Sequence, residues 1–236
     1  MKNYPNLFDV VEVQHTFYQP PQLKTLERWR ASVDDSFEFA IKAWQLITHT
    51  AKSPTYRRLT RKLSQKESKQ TGSFAKTPVV RAAWEATLEC AEALTARRIL
   101  FQCPASFLPT QSNLDRMRNF FTDVKRGDAL LFFEPRGDAW TPSLVKELCS
   151  ELGIYHAVDP FVSKTQTPAQ TYFRLHGKTG WRYVYTDEEL CQLAKLLPKR
   201  GSARIFFNNI TMRDDALRFI SSQKENLRCQ PRNLVH

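Results

Sequence analysis

Charged and amide side chains stand at the ends of this chain's β-branched and aromatic runs. Gln14 ends DVVEVQ, Lys42 nearly ends FEFAIKA, and Gln102 closes LFQ. Glu134 and Arg136 close FFEPR, Asp159 follows YHAV, Arg174 and His176 occupy FRLHG, and Asn208 and Asn209 close IFFNN. His49 lies in the loop beyond the Lys42 run. The balance is cationic, with Lys42, Arg136 and Arg174 against Glu134, and Glu12 and Asp159 as further carboxylates. Planar guanidinium forks and a lysine point charge suit recognition of phosphate or carboxylate. A carboxylate among them can move a proton, so Glu134 is the candidate general base or acid and His176 its proton partner. Arg174 and Lys42 form the expected anion clamp, and Gln14, His49, Gln102, Arg136, Asp159, Asn208 and Asn209 complete the ligand-binding set. The competing reading is an internal salt-bridge network around Glu134 and Arg174 that fixes the strand ends without catalysing anything.

Glu12, His15, Glu134, Asp159 and His176 are oxygen and nitrogen donors suited to Zn, Mn or Mg. No HxH, HExxH or DxD spacing joins them, so no metal ligands are assigned and the cofactor stays open. Gly177-Lys178-Thr179 is not a phosphate-binding P-loop, because the earlier glycine would fall at Tyr172. Cys90, Cys103, Cys149, Cys191 and Cys229 are scattered singly, which excludes a CxxC motif, and most of them read as small buried hydrophobes.

Positioning these groups requires elements that bring strand ends together. Extended runs at Val10 to Gln14, Phe37 to Ala43, Arg98 to Gln102, Ala129 to Glu134, Tyr155 to Val158, Thr171 to Leu175 and Ala203 to Asn208 alternate with helical patterns. The helices fit Leu23 to Ala31, Val79 to Ala96, Leu114 to Val124, Ser143 to Leu152, Asp187 to Leu197 and Arg213 to Ser222. Thr186 with Glu189 makes a capping box, and Pro142 marks a helix start. Strand, helix, strand units of this kind form parallel sheets whose functional groups gather where strands end.

VEVQHTFYQPP, FEFAIKAWQLITH, SPTYRRL, FRLHG and IFFNN resemble, in order, the signature segments of the YecE-like family, domain of unknown function 72. The resemblance implies an α/β TIM-type (β/α) barrel and no reaction. Family members usually begin with a short strand ahead of the segment resembling FDVVEVQ, so the resemblance implies a first strand that is absent or substituted. The edge at Val10 to Gln14 would then need cover, from a missing native segment, a neighbouring strand or another subunit. Barrel nucleases of the endonuclease IV type, which the family resembles by fold, depend on a histidine and carboxylate cluster that five histidines, His236 among them, do not easily reproduce.

The 236 residues fit one barrel domain spanning 1–236, with a basic loop insertion at about 51–78. No apolar run approaches the roughly 18 residues needed to span a bilayer, and MKNYPNLFDVV has no signal-peptide layout, so a soluble cytoplasmic protein without membrane partners is expected. Net charge is +11, and the stretch from Ala51 to Val80 sets eight basic residues against Glu67 alone. Such a concentration favours nucleic acid or a phosphorylated small molecule as ligand. Its front half, SPTYRRLTRKL, should dock through Tyr56 and Leu59, while QKESKQTGSFAKT reads as mobile, the whole forming a basic lid. Tyr18, Trp140 and Phe161 fall after strands, where they could stack on a base, and most of the other aromatics, in a set that includes Phe17, Trp44, Tyr172 and Trp181, read as barrel or helix core. The expected function is binding, with a hydrolysis of phosphate esters left open, of a phosphate-containing ligand such as nucleic acid. The alternatives are a metabolic enzyme acting on a small phosphorylated sugar or carboxylate, or a non-catalytic scaffold.

Overall fold

A computed structural model describes residues 4–229. The thiol of Cys229 and His236 lie outside the described part. The chain clusters into two compact units, Met1–Ala157 and Val158–His236.

In the first unit, β1 (Val10–Val13), β2 (Glu38–Lys42), β3 (Arg98–Gln102), β4 (Leu130–Glu134) and β5 (Tyr155–Val158) pair in chain order, every ladder parallel. Cores such as Ile99-Leu100-Phe101 and Leu131-Phe132-Phe133 are buried throughout, as strands covered on both faces require. The register sets Gln102 level with Glu134. Parallel pairing therefore brings the ends carrying Lys42, Gln102 and Glu134 to one rim.

Four helices of two turns or more connect these strands: α2 (Leu23–Arg30), α5 (Pro78–Ala93), α6 (Gln111–Asp123) and α7 (Pro142–Leu152). Threonine hydroxyls cap α5, α6 and α7, from Thr77 to Val80 N, Thr110 to Asn113 N and Thr141 to Leu144 N. Each satisfies an amide that the helix start would otherwise leave open. Between them stand three single turns of helix, α1 (His15–Tyr18), α3 (Gln45–Thr48) and α4 (Gln65–Ser68), and a 3₁₀ turn at Pro54–Arg58. These pieces follow β1 and β2 directly, too short to show a helical period.

The segment after β2 differs from the expected mobile lid. Its front half docks as expected, with the Tyr56 hydroxyl donating to the His49 carbonyl at 2.7 Å. Its back half is fixed as well. Gly72, Ser73 and Phe74 donate backbone N–H groups to Leu46, Thr48 and Ile47 at 2.8, 3.2 and 2.9 Å. Phe74 is 1% exposed, and its ring meets Phe101, Phe107, Phe120 and Phe121 at 5.3–5.9 Å. One aromatic anchor and three backbone bonds outweigh a polar composition, so the insertion is a fixed ledge, not a flap.

In the second unit, β6 (Gln170–Leu175) and β7 (Ser202–Phe207) pair in parallel over their full lengths. Helix α8 (Asp187–Leu196) starts at the expected Thr186 and Glu189 capping box, and α9 (Met212–Cys229) follows β7. Phe173, Leu175, Tyr185, Leu190, Leu193 and Phe219 form this unit's core. Among the described residues Cys90, Cys103 and Cys149 are buried thiols and Cys191 is exposed, all free. No helix among the described residues is long and apolar enough to cross a membrane.

Candidate functional site

At the first unit's rim, β2 delivers Lys42 into the interior at 3% exposure. Its ammonium donates to Gln102 Oε1 at 2.9 Å and lies 4.1 Å above the Phe17 ring. Phe17 is held there by α1, which explains why the HTFY segment turns immediately after β1. The same ring meets the His49 imidazole edge-on at 5.0 Å. His49 ends α3, is 3% exposed, and shares a 2.8 Å hydrogen bond between its Nδ1 and the Thr48 hydroxyl. Burial, then the charges of Lys42 and Arg136, lower its pKa to about 4. His49 is therefore neutral at physiological pH.

Glu134 is 4% exposed and accepts from Arg136 at 3.2 Å. Its charge is felt by two further buried groups. The Cys103 thiol is pushed well above its ordinary pKa by burial first and Glu134 second. The His156 pKa is lowered to about 4 by burial, with Glu134 pulling the other way. At the end of β1, Gln14 donates its side-chain amide to Glu12, the latter 8% exposed. Lys42, His49, Gln102, Glu134 and Arg136 thus form one polar cluster in the first unit, and Gln14 with buried Glu12 stands at the end of β1. The cations Lys42 and Arg136 can hold an anion, and the Glu134 carboxylate or the neutral His49 imidazole can accept a proton beside it.

In the second unit, Arg174 is 1% exposed and its Nη1 lies 3.2 Å from His176 Nε2. Asp159 braces this strand end, accepting from the backbone N–H groups of His176 and Phe161 at 3.0 Å each. Gly177 follows with φ +84°, where a Cβ would stand 2.3 Å from the Gly180 carbonyl oxygen. That position admits only glycine without rebuilding the turn. Its N–H donates to the Tyr185 hydroxyl at 2.9 Å. Asn208 donates its side-chain amide to the Phe206 carbonyl at 3.3 Å. Asn209 is 1% exposed, and its Nδ2 faces Tyr183 O at 2.8 Å, Thr211 Oγ1 at 3.0 Å and Asp215 Oδ2 at 2.6 Å. Its amide nitrogen thereby ties the 177–185 loop to α9.

Two aromatic expectations are reversed. Trp140 is core, 7% exposed, stacked on Phe107 at 5.8 Å and donating Nε1 to the Phe107 carbonyl at 2.9 Å. Trp181 is 59% exposed, with the Arg182 guanidinium 5.0 Å from its ring. The sequence did carry a signal for Trp181: GKTGWRY has two glycines and no apolar period. Phe161 is half-buried against Tyr185 at 5.6 Å. Tyr18 carries the Arg58 guanidinium over its ring at 3.7 Å. All eight basic side chains of the ledge are exposed. Arg61 pairs with Glu67 at 2.6 Å and Lys76 with Asp123 at 2.8 Å. Among the described residues no three His, Cys, Asp or Glu side chains converge as a metal-binding group.

Parallel strands alternating with helices, and polar groups at the strands' carboxyl ends, define a TIM-type (β/α) barrel protein. The chain belongs to the family described as protein of unknown function DUF72, matched over residues 1–235, which is the YecE-like family. Its fold is similar to that of a DUF72 family protein from Enterococcus faecalis V583, with a TM-score of 0.71 and 20% identity over 94% of this chain and 92% of that one. A DUF72 family protein from Thermotoga maritima MSB8 aligns with a TM-score of 0.69 and 21% identity over 94% and 88% of the two chains. No curated protein matches the chain.

Proposed function

We propose that this protein binds a phosphate-containing ligand, nucleic acid foremost, at the rim carrying Lys42 and Arg136, and that Glu134 serves hydrolysis of a phosphate ester there. The observation that carries the reading is the exposed basic ledge fixed directly to that rim through Tyr56 and His49. A cationic surface raises the local concentration of a polyanion and its association rate. Beneath it, Lys42 and Arg136 offer charge to a phosphate, and Glu134 is the carboxylate within reach of Arg136. In the hydrolytic step, water oxygen bonds to phosphorus as the ester P–O bond breaks. The water proton passes to Glu134, and the departing oxygen takes its proton from solvent.

The test is fluorescence-anisotropy binding of single- and double-stranded oligonucleotides across a salt series. It compares the intact protein with a variant in which Lys52, Arg57, Lys62, Lys66 and Lys69 are glutamine. Each cation that contacts phosphate on a single strand should remove about 0.7 from the slope of log K against log salt. Equal slopes would remove the ledge from the interface. Absence of binding by the intact protein at low salt would end the nucleic-acid reading. Glu134→Gln should leave binding intact and abolish any cleavage; unchanged cleavage would remove Glu134 from the chemistry. The depth of Lys42 favours a second reading, a compact phosphorylated sugar or carboxylate, which predicts thermal stabilisation by the small ligand and weak salt dependence.

A further inference from the structure

We propose that the cavity between the 14–22 turn and the 3₁₀ turn at Pro54–Arg58 is a nucleobase subsite, so that the ligand is a single-stranded nucleic acid longer than one nucleotide. This rests on the polyanion reading above and adds to it a second contact and a strandedness. The cavity measures about 510 Å³, and its walls include Tyr18, Gln19, Pro20, Gln22, Arg58 and Thr60. That volume lies within the range of small-ligand pockets, about 300–1,000 Å³.

The recognising element is the Arg58 guanidinium, which lies 3.7 Å from the Tyr18 ring centroid. Arg58 is exposed, so its planar cation, backed by an aromatic ring, lines the cavity without being enclosed. Unpaired bases stack on such surfaces, because every base has a π-face and the guanidinium is both flat and positive. A paired base inside a duplex cannot enter a concave pocket of this kind. Pro20 and Pro21, which also line the cavity, stiffen its wall by fixing φ.

Position gives the subsite its meaning. The Tyr18 ring meets Phe17 at 5.0 Å, and Phe17 carries the Lys42 ammonium 4.1 Å from its centroid. Two rings therefore separate the cavity from the buried cationic cluster, and both belong to one short turn of helix. Exposed Arg57 adjoins Arg58 on the ledge, with Lys52 and Lys62 nearby in the chain, where flanking phosphates would find charge. A single phosphate needs only the inner cluster; a chain of nucleotides uses the inner cluster, the cavity and the ledge together.

The experiment measures anisotropy of a labelled single-stranded octanucleotide and of the matching duplex, with competition by inorganic polyphosphate and by poly-glutamate. It compares the intact protein with Arg58→Lys and Arg58→Ala. Lysine keeps the charge and loses the plane. Arg58→Lys should weaken octanucleotide binding about tenfold, as loss of one stacked base does, and leave polyphosphate binding unchanged. Arg58→Ala should weaken both. If Arg58→Lys binds the octanucleotide like the intact protein, or the duplex binds as tightly as the single strand, the base subsite is overturned while the polyanion reading stands. Poly-glutamate displacing the strand as effectively as polyphosphate would point to an acidic polypeptide and overturn it too. If the intact protein binds neither oligonucleotide nor polyphosphate, the polyanion reading fails, and the subsite with it.

Discussion

His49 shows how a single residue's surroundings set its chemistry. In an unfolded chain its imidazole titrates near 6.5, and in the fold burial and two cations hold it near 4. A lowered histidine pKa means that folding opposes protonation. The associated stability is fully present above pH 6.5 and is lost as pH falls toward 4. His156 follows the same course, with burial outweighing the opposing pull of Glu134. Each should contribute on the order of 3 kcal/mol across that interval. Urea unfolding between pH 7 and pH 4 should show this decline, and His49→Gln should make it shallower even if it lowers stability at neutral pH. An unchanged slope in the variant would mean that His49 is not held neutral.

Among the elements, the ledge after β2 yields the clearest expectations, because it is fastened by few contacts. Phe74→Ala should cost about 3–5 kcal/mol in denaturant unfolding, the usual range for removing a buried phenylalanine. Gly72 has φ +82°, and a Cβ there would lie 2.5 Å from the His49 carbonyl carbon and the Thr50 nitrogen. Gly137 has φ +95° but nothing within 4 Å of such a Cβ. Both glycines to alanine should destabilise through the backbone, and Gly72→Ala by clearly more, since it must also push α3 and its His49 aside. Equal losses in thermal unfolding would show that the ledge yields without strain.

For the whole molecule, the question is what the excess positive charge does. Deleting Lys52 to Lys76 removes the basic residues but also removes Phe74 from the first unit's core, so loss of binding in that variant would report unfolding. Changing the exposed Lys52, Arg57, Lys62, Lys66 and Lys69 to glutamine leaves every core contact in place. That variant should melt close to the intact protein, with most of its change seen in salt-dependent binding, because surface substitutions usually lie within about 0.5 kcal/mol. A large fall in its melting temperature would assign these charges to stability.

Continuous apolar strands, polar groups at their ends and the Thr186 capping box were legible in the sequence, because backbone periodicity and local capping act over a few residues. The family resemblance extended that reading to the barrel. So was the docking of Tyr56. The fate of single aromatics was not legible. Phe74 stands in a polar run and enters the core; Trp140 and Trp181 both stand in loops, yet one is enclosed by Phe107 and Phe133 and the other is left in solvent. Their burial depends on rings contributed by distant segments, which no local pattern encodes. The same holds for His49, whose neutrality comes first from burial and then from Lys42 and Arg136, surroundings that only the tertiary structure assembles.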